Sequence, residues 1–290
     1  MTDRTLRVGL TQWHATRDLA ANTATAVKMV RECAAAGADL VLLPENGLML
    51  GTNTEMREAA LAVEAPEIAG LRQAAEESGT VVVLGGFKRR GPDGIRNTAL
   101  VIDARGEMAG GYDKIHLFDA RIGNQSFEAS GVEAPGDRPV LLRVGGTVVG
   151  LTICYDVRFP ELYRKLAQAG AEVLLVPAAF TQRTGEAHWE VLLRARAIEN
   201  AAYVVASATV RGQGHDADDA FPTYGHALAV GPWGAVLADL GEQAAAWHVV
   251  DLDLTEVAAC RQALPVLSGV KSDVYGVPPE IIETDPKEGT

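Results

Sequence analysis

A cysteine at the end of an apolar run is the most reactive candidate in this sequence. Residues 150–162 read GLTICYDVRFPEL, so Cys154 ends a strand-like segment and the chain must turn before a helix that starts at Pro160. The N-terminal amides of that helix, and the positive charge of Arg158 nearby, favour a thiolate. Cys154 is therefore a candidate nucleophile, although most free cysteines are small core residues.

The other two cysteines have the pattern of core residues. Cys33 lies on an apolar helical stripe that begins at Ala26, and Cys260 follows Val257 at helical spacing. Buried thiols are inert, so both are expected to be structural.

Two more strand ends carry ionisable side chains that could assist a thiol. Glu45 ends the run LVLLPE, and Lys114 follows GGYD, just past a strand predicted around residues 98–103. A lone Glu or Lys at such a place is usually solvated surface. A thiol nucleophile usually needs a base, and histidine is the first type to consider. The histidines stand in no recognised cysteine-protease signature, but His116 and His226 remain alternative bases.

The elements that must position these residues are short strands alternating with helices. Nine runs rich in Val, Leu and Ala have strand character, and several are apolar on both faces, as in a sheet covered on both sides. Gly-rich turns at RRGPDGIRN and RVGGT predict hairpins, hence antiparallel pairs. The first helix is expected to be capped by Asn22 and ended by Gly37. These patterns predict a mixed α/β fold.

One internal similarity suggests two related halves. GADLVLLPE at 37–45 resembles GAEVLLVPA at 170–178, and each follows a helix and stops at a proline. The pair suggests a pseudo-twofold sandwich. The alternative is that Gly-Ala-acid followed by an apolar run is a common helix-to-strand transition.

Composition excludes several classes of partner. The chain has 290 residues, a formal net charge of −12 and a pI near 5.0, which argues against binding nucleic acid or anionic membranes. Three cysteines without C-x-x-C spacing make neither a disulfide framework nor a zinc site, and suit the cytoplasm. We expect no signal peptide and no membrane span, because no apolar run reaches ~18 residues. Without H-E-x-x-H or a phosphate-binding Gly-rich loop, no metal and no cofactor are expected.

Three ordered motifs resemble those of a known family. LLPENGL, YDKIHLFD and GLTICYDVRFPEL resemble the catalytic motifs of the nitrilase superfamily of carbon–nitrogen hydrolases. The resemblance runs from about residue 6 to 275 and continues in GEAHWEVLLRARAIENAAYVV, YGHALAVGPWG and KSDVYG. It implies an α/β fold that is a four-layer αββα sandwich. We expect one domain over 1–290, with its core at about 6–275 and a polar C-terminal tail. The resemblance also implies a homodimer or larger even assembly, paired through RFPELYRKL and HWEVLLRARAIEN.

The resemblance also implies roles for the three residues. Glu45 would be the general base, Lys114 the electrostatic stabiliser and Cys154 the nucleophile. Cleaving an amide needs a nucleophile, a charge sink for the oxyanion and a proton for the departing nitrogen. Glu45 can carry that proton, while the Lys114 ammonium and the backbone N–H of Tyr155 can hold the oxyanion.

A second glutamate often lies between the lysine and the cysteine in this family. Here the stretch reads NQSFEASGVEAPGD, and an ungapped alignment on PGD places the expected glutamate on Ala129. Glu128, one residue earlier, is predicted to fill the role through a local shift. The role could instead belong to Glu133, or the chain could lack a second glutamate.

The motif around the nucleophile indicates a branch of the family. C-Y-D-x-R-F-P-E, rather than C-W-E or C-W-D, resembles the ω-amidase and deaminated-glutathione amidase branch, which implies terminal amides of small carboxylic acids as substrates. Arg158 is predicted to bind the substrate carboxylate with two parallel hydrogen bonds. It could instead pair with Asp156 or Glu161 and only shape the turn. The sequence also leaves open carbamoyl or nitrile cleavage at the same site, a catalytically silent ligand-binding relative, and an unrelated Cys/His thiol enzyme.

Overall fold

Seven strands form the first sheet in the part of the chain that the structure, a computed structural model, describes: residues 4–122, 125–212 and 219–282. They are β1 (Thr5–Trp13), β2 (Leu40–Leu42), β3 (Val81–Gly91), β4 (Gly94–Ile102), β5 (Met108–Asp113), β12 (Ala208–Thr209) and β15 (Ala245–Asp253). β2 lies between β1 and β3 and is parallel to both, and β4 and β5 follow antiparallel. β15 pairs antiparallel with β1 along its whole length.

The second sheet has six strands within the same described ranges. They are β8 (Val140–Val144), β9 (Thr147–Leu151), β10 (Val173–Leu175), β11 (Tyr203–Ala206), β13 (Leu228–Val230) and β14 (Val236–Asp239). β10 lies between β9 and β11, parallel to both, and β13 and β14 follow antiparallel. A small hairpin of β6 (Asp119–Ile122) and β7 (Gln125–Glu128) stands apart.

The two sheets repeat one topology. The order β1-β2-β3-β4-β5 has three parallel strands followed by two antiparallel ones, and β9-β10-β11-β13-β14 has the same order and directions. The similar segments 37–45 and 170–178 contain β2 and β10, the middle parallel strand of each sheet. The sequence similarity therefore marks equivalent positions in two halves. Both predicted hairpins are present, as β3–β4 and β8–β9.

The described ranges contain seven α-helices. They are α1 (Leu19–Ala35), α2 (Asn53–Glu58), α3 (Pro66–Ser78), α4 (Pro160–Gln168), α5 (Gln182–Asn200), α6 (Leu254–Ala263) and α7 (Ser272–Tyr275). α1 and α3 pack on the first sheet, and α4 and α5 on the second. One buried cluster contains Leu42 of the first sheet together with Leu174 and Val204 of the second, so the two sheets share a core. Each such side chain contributes about 1.5–3 kcal/mol by burial. The four-layer αββα sandwich is thus confirmed.

The first helix starts earlier than predicted. Asp18 is its N-cap, because the Asp18 side chain accepts a hydrogen bond from Ala21 N at 2.9 Å. Asn22 lies inside the helix and is buried; its amide nitrogen donates to Thr16 O and Leu48 O instead. The predicted cap was therefore wrong, since the Asn22 side chain holds a neighbouring loop.

The strand before Lys114 also differs from the prediction. Lys114 follows β5, whereas the predicted strand at 98–103 corresponds to β4. The β5 sequence MAGGYD has no apolar alternation, and its first four residues are exposed at the sheet edge. Such a strand leaves no periodic signal in the sequence.

None of the helices in the described ranges combines the length and apolarity needed to cross a bilayer.

Candidate active site

Glu45, Lys114 and Cys154 meet in one buried pocket. They lie just beyond the ends of β2, β5 and β9, which bring three distant segments together. Lys114 Nζ donates to Glu45 Oε1 at 2.7 Å, and each of these side chains is only 4% exposed. Cys154 lines the same pocket, whose volume is about 470 Å³ including its open mouth. The structure therefore assembles the three residue types predicted from the motifs.

Three donors hold the Glu45 carboxylate in one orientation. Lys114 Nζ and Asn97 Nδ2 donate to Oε1, the latter at 2.9 Å, and Ala179 N donates to Oε2 at 2.9 Å. Burial by itself would raise the pKa of Glu45, but the charges of Lys114 and Lys88 outweigh it and hold that pKa below its ordinary value. Glu45 is thus a carboxylate at neutral pH, able to accept a proton.

The Lys114 ammonium stays charged despite its burial. Burial would lower the pKa of Lys114, but the neighbouring Glu45, Cys154 and Glu133 raise it above its ordinary value. A permanent cation is what a developing oxyanion requires.

Cys154 sits at a strained turn. It is the first residue of a short 3₁₀ helix, Cys154–Arg158. Its φ of +47° is left-handed, which costs a non-glycine residue about 1–2 kcal/mol. The Cys154 N–H donates to Pro177 O at 2.9 Å, which holds the turn. Strain of this kind is common at reactive sites, where the surrounding structure enforces the geometry.

The protonation state of Cys154 differs from the expectation. Burial and then the negative charge of Glu45 raise the pKa of the thiol far above its ordinary value, and the opposing charge of Lys114 is too weak to prevent it. The expectation that helix amides and Arg158 favour the thiolate was therefore wrong. A neutral thiol needs a base beside it, and Glu45 is in that place.

The backbone N–H of Tyr155 follows Cys154 at the start of the same 3₁₀ helix. Tyr155 is the second residue of the 3₁₀ helix, where backbone N–H groups have no acceptor within the helix. Its ring packs edge-on against Phe118, with 5.0 Å between the ring centroids.

One buried carboxylate ties the Lys114 segment to the Cys154 turn. Asp156, which is fully buried, accepts from Tyr112 Oη and Ile153 N at 2.8 Å each. Its other oxygen accepts from His116 N at 3.2 Å and lies 2.7 Å from His116 Nδ1. Sequence reasoning considered Asp156 only as a partner for Arg158, because nothing local indicates contacts across 40 residues.

Arg158 lies beside the thiol in an adjoining pocket of about 230 Å³. Its guanidinium carbon is 5.1 Å from the centroid of the Phe180 ring and 5.9 Å from that of Tyr155. These cation–π contacts hold the side chain without using its hydrogen-bonding edges. Its Nη1 is 3.3 Å from His188 Nδ1.

Asp156 and Glu161 were the two carboxylates considered as partners of Arg158. Asp156 is fully occupied as described above, and the described residues show no ion pair of Arg158 with Asp156 or Glu161. The pocket that contains Arg158 also has Thr181 and Thr184 in its wall.

The second glutamate near the site is Glu133 and not Glu128. Glu128 ends β7, is exposed, and its Oε1 accepts from Ser126 Oγ at 3.3 Å. A 3₁₀ turn at Ala129–Gly131 then leads the chain inward. Glu133 therefore lines the pocket of Cys154, with its side chain 1% exposed and paired with Lys88. Glu128 does not line that pocket, and an ungapped count cannot anticipate the turn.

Lys88 and Asn97 are site residues that sequence reasoning missed. Both line the pocket of Cys154, from β3 and β4. Each is a polar residue beside an apolar strand segment, in GGFK and NTALVI. A buried polar residue of this kind requires a partner, which is the signal that could have revealed them.

A histidine base has no geometric support. The His116 ring stacks on Phe159 with 3.6 Å between centroids and is bonded to Asp156, and His226 pairs with Asp239 at 3.1 Å. Among the described residues, no histidine lines either pocket that contains Cys154. The described part of the chain also has no group of three or more His, Cys, Asp or Glu residues that could hold a metal ion.

A buried glutamate, lysine and cysteine at strand ends of an αββα sandwich define a class of hydrolase. The chain belongs to the carbon–nitrogen hydrolase family, whose family model, Carbon-nitrogen hydrolase, matches residues 7–262. It is an enzyme that acts on carbon–nitrogen bonds.

The sequence is similar to those of two deaminated glutathione amidases. The chain is 40% identical over 256 residues to the deaminated glutathione amidase of Synechocystis sp., covering 86% of this chain and 92% of that protein. It is 40% identical over 265 residues to the mouse deaminated glutathione amidase, covering 88% and 80% respectively.

Solved structures have the same fold. The NitFhit protein of Caenorhabditis elegans superposes with a TM-score of 0.86 at 34% identity, over 95% of this chain and 67% of that chain. An amidase from Nesterenkonia sp. AN1 superposes with a TM-score of 0.76 at 27% identity, over 93% of this chain and 95% of that chain. A mutant of that amidase carries the acetamide moiety of fluoroacetamide covalently added at its active-site cysteine.

Proposed function

We propose that this enzyme is an amidase that releases ammonia from the terminal amide of a small carboxylic acid, through a thioester at Cys154. The observation that carries the proposal is the shared pocket of Glu45, Lys114 and Cys154, with Arg158 beside the same thiol. Relatives named deaminated glutathione amidase support an acid amide as the substrate class.

The first step forms a tetrahedral intermediate, from which the thioester arises. Glu45 accepts the thiol proton as Cys154 Sγ attacks the amide carbon, and the carbonyl electrons move onto oxygen. The Lys114 ammonium and the Tyr155 N–H stabilise that oxyanion. One such donor typically contributes about 100- to 1000-fold in rate.

The next steps release the two products. The protonated Glu45 gives its proton to the amide nitrogen, the carbon–nitrogen bond breaks, and ammonia leaves the thioester. Glu45 then takes a proton from water, whose oxygen attacks the thioester. The carbon–sulfur bond breaks, Cys154 regains the proton, and the carboxylic acid departs.

The protonation states of the resting site fit this cycle. Glu45 has a lowered pKa and begins as a carboxylate, while Cys154 has a raised pKa and begins as a thiol. Proton transfer must therefore accompany the attack. Three hydrogen bonds hold the carboxylate of Glu45 beside the thiol, so the base is already oriented to accept the proton.

Arg158 supplies the recognition of the substrate acid. Because the protein is strongly acidic, long-range steering does not attract an anion, so a local cation must bind it. The rings of Tyr155 and Phe180 hold the guanidinium near Cys154. The separation of Arg158 and Cys154 would then select ω-amides of short dicarboxylic acids.

A substrate panel tests the proposal. Ammonia release is measured for ω-amides of dicarboxylic acids, for ureido acids and for nitriles, with Cys154→Ala as the control protein. The highest kcat/KM is expected for the ω-amides. A higher value for ureido acids or nitriles would point to carbamoyl or nitrile cleavage, and no ammonia from any compound would contradict the proposal.

We also propose a homodimer, or a larger even assembly, that pairs through α4 and α5. Two apolar side chains of α5 support this surface, since Val191 is 68% exposed and Ile198 is 49% exposed. Large exposed apolar side chains that share a face often mark an interface. Sedimentation at micromolar concentration tests the assembly, and a monomer would count against it.

The cytoplasm is the compartment that we propose. Cys33, Cys154 and Cys260 are all free thiols, which a reducing compartment maintains. Cell fractionation followed by immunoblotting tests this location. Recovery of the protein in the fraction of an oxidising compartment would contradict the proposal.

A further inference from the structure

Strand β3 brings a second lysine to the active-site pocket. Lys88 Nζ forms an ion pair with Glu133 Oε2, and the two side chains are 10% and 1% exposed. Both residues line the pocket that contains Cys154. This pair is separate from the Lys114–Glu45 pair, whose residues follow the ends of β5 and β2.

The second oxygen of Glu133 has no hydrogen-bond partner in the part of the chain that the structure describes. Oε1 is buried and makes no hydrogen bond with the described residues, while Oε2 is held by Lys88. A buried acceptor without a hydrogen-bond partner destabilises the folded protein by about 1–3 kcal/mol. Such an oxygen in the wall of a pocket indicates that it accepts a hydrogen bond from a bound ligand. Because Lys88 binds Oε2, Oε1 is the oxygen of Glu133 that remains for that donor.

The charges of the pocket balance only because of Lys88. Two carboxylates in one buried site normally share a proton, since both cannot be ionised without compensation. Here Glu45 and Glu133 face Lys114 and Lys88, so the four charges sum to zero. The charge of Lys88 also acts on Glu45 directly and helps to lower its pKa.

We propose that Lys88 is a positioning residue of the amide hydrolysis: its ammonium orients Glu133 and allows Glu45 to remain a carboxylate beside it. This inference rests on the proposed function, because it gives Lys88 a part in that cycle. Lys88 acts through the two carboxylates, and no contact of Lys88 with the reacting atoms is required.

Variants of the pair separate this role from a purely structural one. Lys88→Met removes the cation, Lys88→Arg keeps it, and Lys88→Met combined with Glu133→Gln removes both charges of the pair. The matched control is Arg90→Met, two residues along the same strand, where the exposed guanidinium donates to the backbone oxygens of Arg57 and Ala60.

Two readouts are followed as a function of pH. One is kcat/KM for an ω-amide of a dicarboxylic acid. The other is the rate of alkylation of Cys154 by iodoacetamide, measured by mass spectrometry, which requires no turnover. Both depend on Glu45 as a carboxylate that accepts the thiol proton.

Lys88→Met is expected to move the acid limb of both profiles to higher pH by one unit or more. Removing a cation makes Glu45 harder to deprotonate, so the loss is about tenfold per unit below the limb and small at alkaline pH. Lys88→Arg should keep the limb in place. The double variant should return it towards the wild-type position, because the repulsion from Glu133 is gone, and Arg90→Met should leave it unchanged.

Contrary results overturn the inference. An acid limb that does not move in Lys88→Met, or an equal loss at every pH, would show that Lys88 only supports the fold. If Lys88→Met does not fold, the double variant becomes the test. An acid limb of the double variant that lies at clearly higher pH than that of the wild type would then overturn the inference. A shifted alkylation profile without ammonia release by the wild-type enzyme would reject the proposed function and leave the role of Lys88 intact.

Discussion

The hydroxyl of Tyr112 donates a hydrogen bond to Asp156 Oδ2 at 2.8 Å, and both residues are fully buried. Tyr112 lies two residues before Lys114, and Asp156 lies two residues after Cys154. This contact, with those of His116 to the other oxygen of Asp156, joins the segment of the proposed oxyanion stabiliser to that of the proposed nucleophile.

Tyr112→Phe should slow catalysis as well as destabilise the protein. The variant leaves Asp156 Oδ2 with one donor fewer, which costs about 1–3 kcal/mol of unfolding free energy. We expect kcat to fall further than in the matched control Tyr203→Phe, whose hydroxyl bonds to Glu256 far from the site. Thermal unfolding and steady-state kinetics measure both effects. An equal kcat in the two variants would show that the contact is only structural.

Cys154→Ala should abolish hydrolysis, whereas Cys33→Ala and Cys260→Ala should affect stability alone, by roughly 1 kcal/mol. Burial raises the pKa of Cys33 to about 12, so that thiol should resist alkylation. Iodoacetamide is expected to label Cys154 first, because Glu45 can take its proton. Faster labelling of Cys33 or Cys260, with activity persisting in Cys154→Ala, would refute the mechanism.

Lys114→Gln should lower kcat by about 100- to 1000-fold with the fold intact, because it removes the charge opposite the oxyanion while keeping most of the volume. Circular dichroism checks the fold and ammonia release measures kcat. A kcat within tenfold of the wild type would remove Lys114 from the catalytic set.

The acid limb of kcat/KM should lie below the ordinary glutamate pKa of about 4.3. Glu45 acts as a carboxylate and its pKa is lowered, so activity is present above that pKa and is lost as the pH falls through it. Glu45→Gln should lower kcat sharply at all pH values. A limb near the ordinary histidine pKa of about 6.5 that disappears in a histidine variant would instead favour a histidine base.

Arg158→Ala should cost about 30- to several thousand-fold in kcat/KM on an ω-amide acid, corresponding to roughly 2–5 kcal/mol for a lost charged partner. A neutral amide of the same length should be affected much less. Arg158→Lys should retain part of the activity on the acid, because it keeps the charge but loses the planar fork. Equal losses on both amides would show that the substrate carboxylate is bound elsewhere.

Much of this protein follows from local properties of its sequence. The apolar runs, the Gly-rich turns and the stripe through Cys33 predicted strands, hairpins and an inert helix face, since period and turn chemistry act within a few residues. The resemblance of three short motifs to those of a known family predicted Glu45, Lys114 and Cys154, which the fold brings together. Edge strand β5 escaped prediction because its first four residues are exposed and its sequence has no apolar alternation.

Tertiary structure alone decided how those residues are held and charged. Ala179 N reaches Glu45 across 134 residues, and Lys88 reaches Glu133 across 45. The choice of Glu133 over Glu128 and the neutral thiol of Cys154 depend on such contacts and on burial. Sequence spacing predicts which residues can react, but a pKa and an ion pair depend on neighbours that only the packed sheets bring together.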